Sequence, residues 1–410
     1  MDTGWTSTVT LTFHADNNSK EYIFMITADK FLTPARELGF NFFTGTPCSY
    51  LKPFINYVID TDGFDFYDSV NEGDAIAIAA GATIGGKRAV VMFQNSGLGN
   101  AVNPITSLTY TFNIPVMIIT TLRGEVGGPA DEPQHELMGQ ITTQMLETMR
   151  LKWAFFPQTD AEVAPALKLA DEYMKTHNQP YVFVMRKDDI AEYKLQKKPA
   201  PSKKDFKITH TDHFELDYKL RTTRTPVLEV LQKSVGMDAA VIATTGKTGR
   251  EFYEVGDQAN QLYMVGSMGC ALAFGFGLAV VKPKLKVIVV DGDGALLMRT
   301  GSMATAGAYK PKNLVHILID NEAHDSTGGQ GTVTGGVSFG TVAAGFGYDT
   351  IYSTDSLEKF SGIMNEIKNN NSVTFVHLKT QKGSPEKLGR PKVTPAEVSV
   401  RFAEFVQSKV

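Results

Sequence analysis

Two short apolar runs rich in branched residues, Val287–Val290 and Leu314–Ile319, bracket a stretch that reads as a helix followed by a Pro-Lys-Asn turn. Strand, helix, strand in that order makes two parallel, neighbouring, buried strands. This constrains the chain to an open α/β sheet, in which ligands collect beyond the carboxyl ends of the strands. Asp293 stands just past the first strand and Asn321 just past the second. Both offer oxygen, the donor that Mg2+ or Ca2+ prefers. Two such donors are too few to hold Mg2+, so a phosphate-bearing ligand is expected to complete the site. Gly292 and Gly294 would let the backbone approach it closely.

The remaining sequence bounds what surrounds this unit. With 410 residues, 42% of them hydrophobic, and 37 Gly, the chain can build two or three tightly turned α/β domains. A net charge of -4, a pI near 6.1 and no long basic run argue against nucleic acid and against an anionic membrane surface. There is no apolar run of the roughly 20 residues that a membrane span needs. Cys48 and Cys270 offer neither a disulfide framework nor zinc spacing, so a reducing cytoplasm is expected. Residues 1–24 lack the basic start and apolar core of a signal peptide and are set aside as an N-terminal extension.

From Met25 the pattern alternates helix and strand. Residues 25–186 carry strands at Phe40–Phe43, Ala89–Phe93, Pro115–Thr120 and Tyr181–Met185. Residues 187–224 lose apolar periodicity, contain Lys-Lys-Pro-Ala-Pro-Ser-Lys-Lys, and read as a solvated linker. Residues 225–410 resume with a helix from Pro226, a strand at Ala239–Thr244, the opening unit, a strand at Val373–Leu378 and a last helix from Pro395. The expected fold is two doubly wound parallel-sheet α/β domains with no middle domain. Thr245-Gly-Lys-Thr248 is not a phosphate-binding P-loop, because position 241, where that motif needs Gly, is Val. Lys247 and Arg250 open a helix instead, where they either guide an anionic substrate or lie on a wet surface, and surface is the expectation. A further stretch, Tyr263 to Gly277, reads as a strand entering a helix of small residues, whose N-terminus is suited to a diphosphate.

Gly292-Asp-Gly294 followed by Asn321 resembles the metal motif of the thiamine-diphosphate enzymes, which usually carry Asn-Asn where this chain has Asp320-Asn321. The resemblance implies that Asp293 and Asn321 bind Mg2+ through their side chains and Ala323 through its carbonyl. Asn71-Glu72-Gly73, opening an alanine-rich helix, resembles the pyrimidine-binding domain of the same enzymes, which makes Glu72 the catalytic glutamate. Residues 25–186 would then be the pyrimidine-binding domain and 225–410 the diphosphate- and metal-binding one. Gly266, Ser267, Gly292, Gly294 and Ala295 would approach thiamine diphosphate, and Met268 would be the apolar wedge that bends it.

The missing middle domain and several loops resemble the short decarboxylases of this superfamily that act on phosphonopyruvate or sulfopyruvate. Among those loops are Gln94 to Asn100, Arg123 to His135 and His324 to Gln330. This implies a carbon–carbon lyase for a small anionic 2-oxo acid, with 3-phosphonopyruvate the first expectation and sulfopyruvate the alternative. A carboligase or a non-catalytic subunit are more distant readings. Expected proton carriers are His135 and His324; expected substrate contacts are Ser96, Gly97 and Arg123. A homodimer or homotetramer with active sites at the subunit interface is implied as well.

Overall fold

In a computed structural model that describes residues 25–198 and 210–409, the chain forms two six-stranded sheets in which every strand pair is parallel. The expected N-terminal extension and residues 199–209 of the expected linker lie outside the described residues. The first sheet contains β1 (Phe40–Gly45), β2 (Asp65–Asp68), β3 (Arg88–Phe93), β4 (Met117–Thr121), β5 (Lys152–Phe155) and β6 (Tyr181–Met185). Its helices are α1 (Ala28–Glu37), α2 (Lys52–Asp60), α3 (Glu72–Ile84), α4 (Leu98–Pro104), α5 (Glu136–Thr148) and α6 (Asp160–His177).

The second half contributes β7 (Ala239–Ala243), β8 (Gln261–Tyr263), β9 (Lys286–Gly292) and β10 (Leu314–Asp320) to its sheet. A separate hairpin of β11 (Ala323–His324) and β12 (Gln330–Gly331) follows, and β13 (Thr350–Thr354) and β14 (Thr374–Lys379) complete the sheet. Its helices are α7 (Arg224–Val235), α8 (Lys247–Val255), α9 (Ala271–Val281), α10 (Asp293–Met298), α11 (Gly301–Tyr309), α12 (Phe339–Phe346), α13 (Leu357–Ile367) and α14 (Pro395–Ser408).

The strand orders are β2-β1-β3-β4-β6-β5 and, read from the far edge, β8-β7-β9-β10-β14-β13. Numbered from its own first strand, the second sheet repeats the order of the first. In each, the order reverses between the first and third strands, which opens a crevice at their carboxyl ends. The central strands are buried throughout, as β4 (MIITT), β6 (YVFVM) and β7 (AAVIA) show, because helices cover both faces. The edge strands β2 (DFYD) and β5 (KWAF) are short and half exposed, and they lack the apolar run by which a strand is read from sequence.

Helices α3 and α9 join the halves. Both are buried nearly all round, which their Ala and Gly content permits. A Cβ on Gly81 would fall 1.9 Å from the carbonyl oxygen of Phe274, and one on Gly277 would fall 2.0 Å from that of Ile78. The two backbones are in direct contact, and a side chain at either glycine would push them apart. Arg299, just past α10, crosses the same seam: Nη1 donates to Asp74 Oδ1 (3.1 Å) and Asn71 Oδ1 (2.6 Å). Burial pushes the Asp74 carboxyl up to about 6, although the Arg299 charge beside it acts in the opposite direction.

The later part of the expected linker is anchored rather than solvated. The backbone N–H groups of Glu215 and Leu216 donate to the Asp355 carboxylate (3.1 and 2.8 Å), and Ser338 donates to Asp212 (2.6 Å). Arg224 starts α7, two residues before the expected Pro226, and is 5% exposed.

Candidate active site

The crevice of the second sheet is a cavity of about 280 Å³ lined by three loops at strand ends: Thr244–Thr248 after β7, Gly292–Ala295 after β9 and Asn321–Thr327 around β11. Met268, Ile319 and Arg224 complete it. The predicted Met268, Gly292, Asp293, Gly294, Ala295, Asn321, Ala323 and His324 are therefore brought together in one place. Gly294 lies close under His324: a Cβ there would be 2.7 Å from His324 Cε1, so a side chain at this position would displace the imidazole.

Asp293 is 5% exposed, and its Oδ2 accepts from the hydroxyls of Thr332 (2.7 Å) and Thr334 (3.2 Å). Among the described residues no basic side chain pairs with it. Burial raises its carboxyl above the ordinary value, and the nearby Asp320 charge adds to the effect. A buried carboxylate with only neutral partners is the kind of group that a divalent cation stabilises. Asn321 is equally buried, and its Oδ1 accepts from the Ala323 N–H (3.1 Å). One carboxylate, one amide oxygen and one carbonyl fit a cation that takes its other ligands from a diphosphate and water.

Asp320, the departure from Asn-Asn, is fully buried and serves the fold behind this site. Its Oδ2 lies 2.9 Å from His377 Nε2 and 2.9 Å from Lys379 Nζ. Burial would raise its carboxyl, but the hydrogen bonds and charges of these two partners outweigh that, and it is held below the ordinary range. An Asn at position 320 would leave Lys379 without that counterion.

The first sheet gathers a second group at its own crevice. Glu72, the first residue of α3, accepts from Thr46 Oγ1 after β1 (3.1 Å) and from Asn100 Nδ2 in α4 (2.8 Å). Gly97 lies against it, and a Cβ there would be 2.4 Å from Glu72 Cδ. Ser96 is exposed, with its hydroxyl 2.7 Å from Gln94 Nε2. Asn95, which opens the glycine-rich turn expected to present amide donors to the substrate, instead ties these loops together with its side chain by donating to Arg123 O (3.0 Å) and Thr142 Oγ1 (3.1 Å).

Arg123 is held by Asp131: its Nε donates to Oδ2 (2.9 Å) and its Nη2 to Oδ1. The hydrogen bond from Arg123 keeps the Asp131 carboxyl well below the usual range. The guanidinium fork is thus occupied within its own loop. His135 is 4% exposed under Gly124, and its Nδ1 has no partner among the described residues.

Not all the predicted residues meet within one chain. Glu72, Ser96, Gly97, Arg123 and His135 do not line the cavity that contains Asp293. Gly266 and Ser267 also turn away from it: the Ser267 hydroxyl lies 2.8 Å from that of Ser107, and a Cβ on Gly266 would be 2.7 Å from Ser107 Cβ. Lys247 corrects the reading in the other direction. It lines the cavity instead of an open surface, because the loop after β7 lies at the crevice. Its chain is turned there by Gly246 at φ +95, and its N–H donates to Ser326 Oγ (3.3 Å). Among the described residues it has no ion-pair partner.

Family models match both halves: the N-terminal TPP binding domain of thiamine pyrophosphate enzymes over residues 25–145, and the C-terminal TPP binding domain over residues 242–378. A phosphonopyruvate decarboxylase of Streptomyces viridochromogenes is 42% identical over 382 residues, which span 93% of this chain and 95% of that one. A sulfopyruvate decarboxylase of Methanosarcina acetivorans is 25% identical over 93% of this chain and 98% of that one. The solved structure of benzoylformate decarboxylase from Polynucleobacter necessarius superposes with a TM-score of 0.68 at 12% identity, covering 87% of this chain and 99% of that one. That likeness concerns the fold alone. Among the described residues no helix is long and apolar enough to cross a membrane.

Proposed function

The chain belongs to the phosphonopyruvate decarboxylases among the thiamine pyrophosphate enzymes, and from that premise we propose that it converts 3-phosphonopyruvate to phosphonoacetaldehyde and CO2 without oxidation. The observation that carries this reading is the second-sheet cavity, lined by both the buried Asp293 carboxylate and Lys247, neither of which has an ion-pair partner among the described residues. The first suits a metal-bound diphosphate and the second an anionic substrate. Loss of CO2 leaves an electron pair on carbon, and thiamine diphosphate supplies the sink for that pair when it is bound.

The residues of this chain have the remaining tasks. Asp293, Asn321 and the Ala323 carbonyl hold Mg2+, and Gly292, Gly294 and Ala295 let the backbone come close to the diphosphate. Met268 is the apolar support beneath the cofactor, while Gly266 and Ser267 shape the loop that carries it. Glu72 hydrogen-bonds the pyrimidine. Lys247 attracts the phosphonate, and the loop of Ser96, Gly97 and Arg123 borders the reacting end of the substrate. His324 lies at the cavity and moves the product's proton.

Glu72 and His135 lie in the other crevice, so a homodimer or homotetramer is proposed in which the first domain of one copy closes over the second domain of another. Residues 25–186 and 225–410 are the two partners in that closure, and the setting is cytoplasmic. The deciding experiment follows CO2 and aldehyde from phosphonopyruvate, sulfopyruvate and pyruvate in parallel, with thiamine diphosphate and Mg2+ present and then removed. Preferred, cofactor-dependent turnover of phosphonopyruvate is expected. Preference for sulfopyruvate would move the substrate and keep the chemistry, and no turnover by folded, cofactor-loaded protein would overturn the assignment.

A further inference from the structure

A buried ion cluster adjoins the metal loop and is not used by the chemistry above. Asn321 Nδ2 donates to Asp325 Oδ2 (2.7 Å), and Arg224 Nη2 donates to the same oxygen (2.7 Å). Arg224 Nη1 donates to Glu251 Oε1 (2.9 Å), whose other oxygen accepts from Thr225 Oγ1 (2.9 Å). The Gly383 N–H also reaches Asp325 Oδ2 (3.2 Å). The side chains of Arg224, Glu251 and Asp325 are 6%, 0% and 9% exposed. Two carboxylates against one guanidinium leave the triad with a net negative charge, so Arg224 cannot serve as the anion anchor of the cavity although it lines it.

The cluster instead dictates which way the Asn321 amide faces. An ionised carboxylate only accepts hydrogen bonds, and a backbone N–H only donates. Asp325 on one side and the Ala323 N–H on the other therefore admit a single orientation, with Nδ2 toward Asp325 and Oδ1 toward Ala323. A flipped amide would set oxygen against carboxylate and N–H against N–H. We infer that Asp325, held by Arg224, is a positioning residue that keeps the Asn321 oxygen available to the metal, as hydrogen-bonded partners behind a metal ligand commonly do. This rests on the reading of Asn321 as a metal ligand.

The test removes the acceptor and is read by direct Mn2+ binding, counted by electron paramagnetic resonance with saturating thiamine diphosphate and no substrate. Asp325→Leu leaves the Asn321 amide with no acceptor to orient it and should weaken Mn2+ binding by about 10- to 100-fold. Asp325→Asn can keep an amide oxygen where Oδ2 accepts from Asn321, Arg224 and the Gly383 N–H. It should therefore stay within about fivefold of wild type.

A merely structural role would look different. Glu251→Leu removes the other carboxylate that pairs with Arg224 but leaves the Asp325 contact to Asn321, so it should lower metal-free melting while Mn2+ binding stays within about fivefold of wild type. Wild-type affinity of Asp325→Leu, a loss in Asp325→Asn as large as in Asp325→Leu, or an equal loss of Mn2+ binding in Glu251→Leu would overturn the inference. If Asp293→Asn leaves Mn2+ binding unchanged, the metal assignment fails instead.

Discussion

Glu72 and Asp293 are both carboxylic acids at helix starts, yet their surroundings differ: Glu72 has the Thr46 hydroxyl and the Asn100 amide, and Asp293 has two threonine hydroxyls in a buried crevice. If Glu72 engages the cofactor ring, Glu72→Gln keeps its size and its Asn100 contact but loses the acid. Turnover should fall by about 10²- to 10⁴-fold with cofactor still bound, checked by single-turnover CO2 release beside a cofactor-binding titration. Loss of cofactor binding instead would make Glu72 a structural anchor. Asp293 and Asn321 were legible in the sequence because each is tied to the end of a recognisable strand. Arg224 was not, and Lys247 only as the less favoured of two readings: a Lys at a helix start and an Arg after a polar stretch look like surface until the strand order places their loops at the crevice. Nor does residue type show that the Arg123 fork is already taken by Asp131.

At the scale of elements, the buried strands could be read directly, since a strand covered on both faces must be apolar throughout, as in β4, β6 and β7. The edge strands β2 and β5 could not, because half their residues face water. The α3–α9 seam was equally hidden: an alanine-rich helix announces burial, but not which helix it meets. Arg299 gives that seam a testable feature, as the cation paired with Asp74, a residue 1% exposed. Arg299→Met should cost about 3 to 5 kcal/mol at pH 8, the usual result of leaving one buried charge unpaired. The sign with pH follows from Asp74, whose folded carboxyl is raised to about 6. A carboxyl raised on folding costs stability above its folded value, and that cost fades as pH falls toward the unfolded value. Without Arg299 the carboxyl rises further, so urea melts should show a larger deficit at pH 8 than at pH 5; an equal deficit at both would assign the loss to packing.

At the scale of the molecule, the two sheets share one strand order, and each places its chemistry at its own crevice, with Glu72 in one and Asp293 in the other. A cofactor that needs both residues must reach across, and within one chain they line different places. Pairing the first domain of one copy with the second domain of another resolves this, and it makes a prediction that a self-contained site does not. Glu72→Gln and Asp293→Asn should each be nearly inactive alone. In a mixed dimer, one site would receive both defects and the other neither. Random assembly makes about half the dimers mixed, each with one sound site of two, so an equal mixture reassembled or co-expressed should recover about a quarter of wild-type activity. If each site were built within one chain, every chain in the mixture would carry a defect and no proportion of the two would turn over substrate. Activity measured against mixing ratio therefore tests whether the separation of Glu72 from Asp293 reflects a site shared between copies.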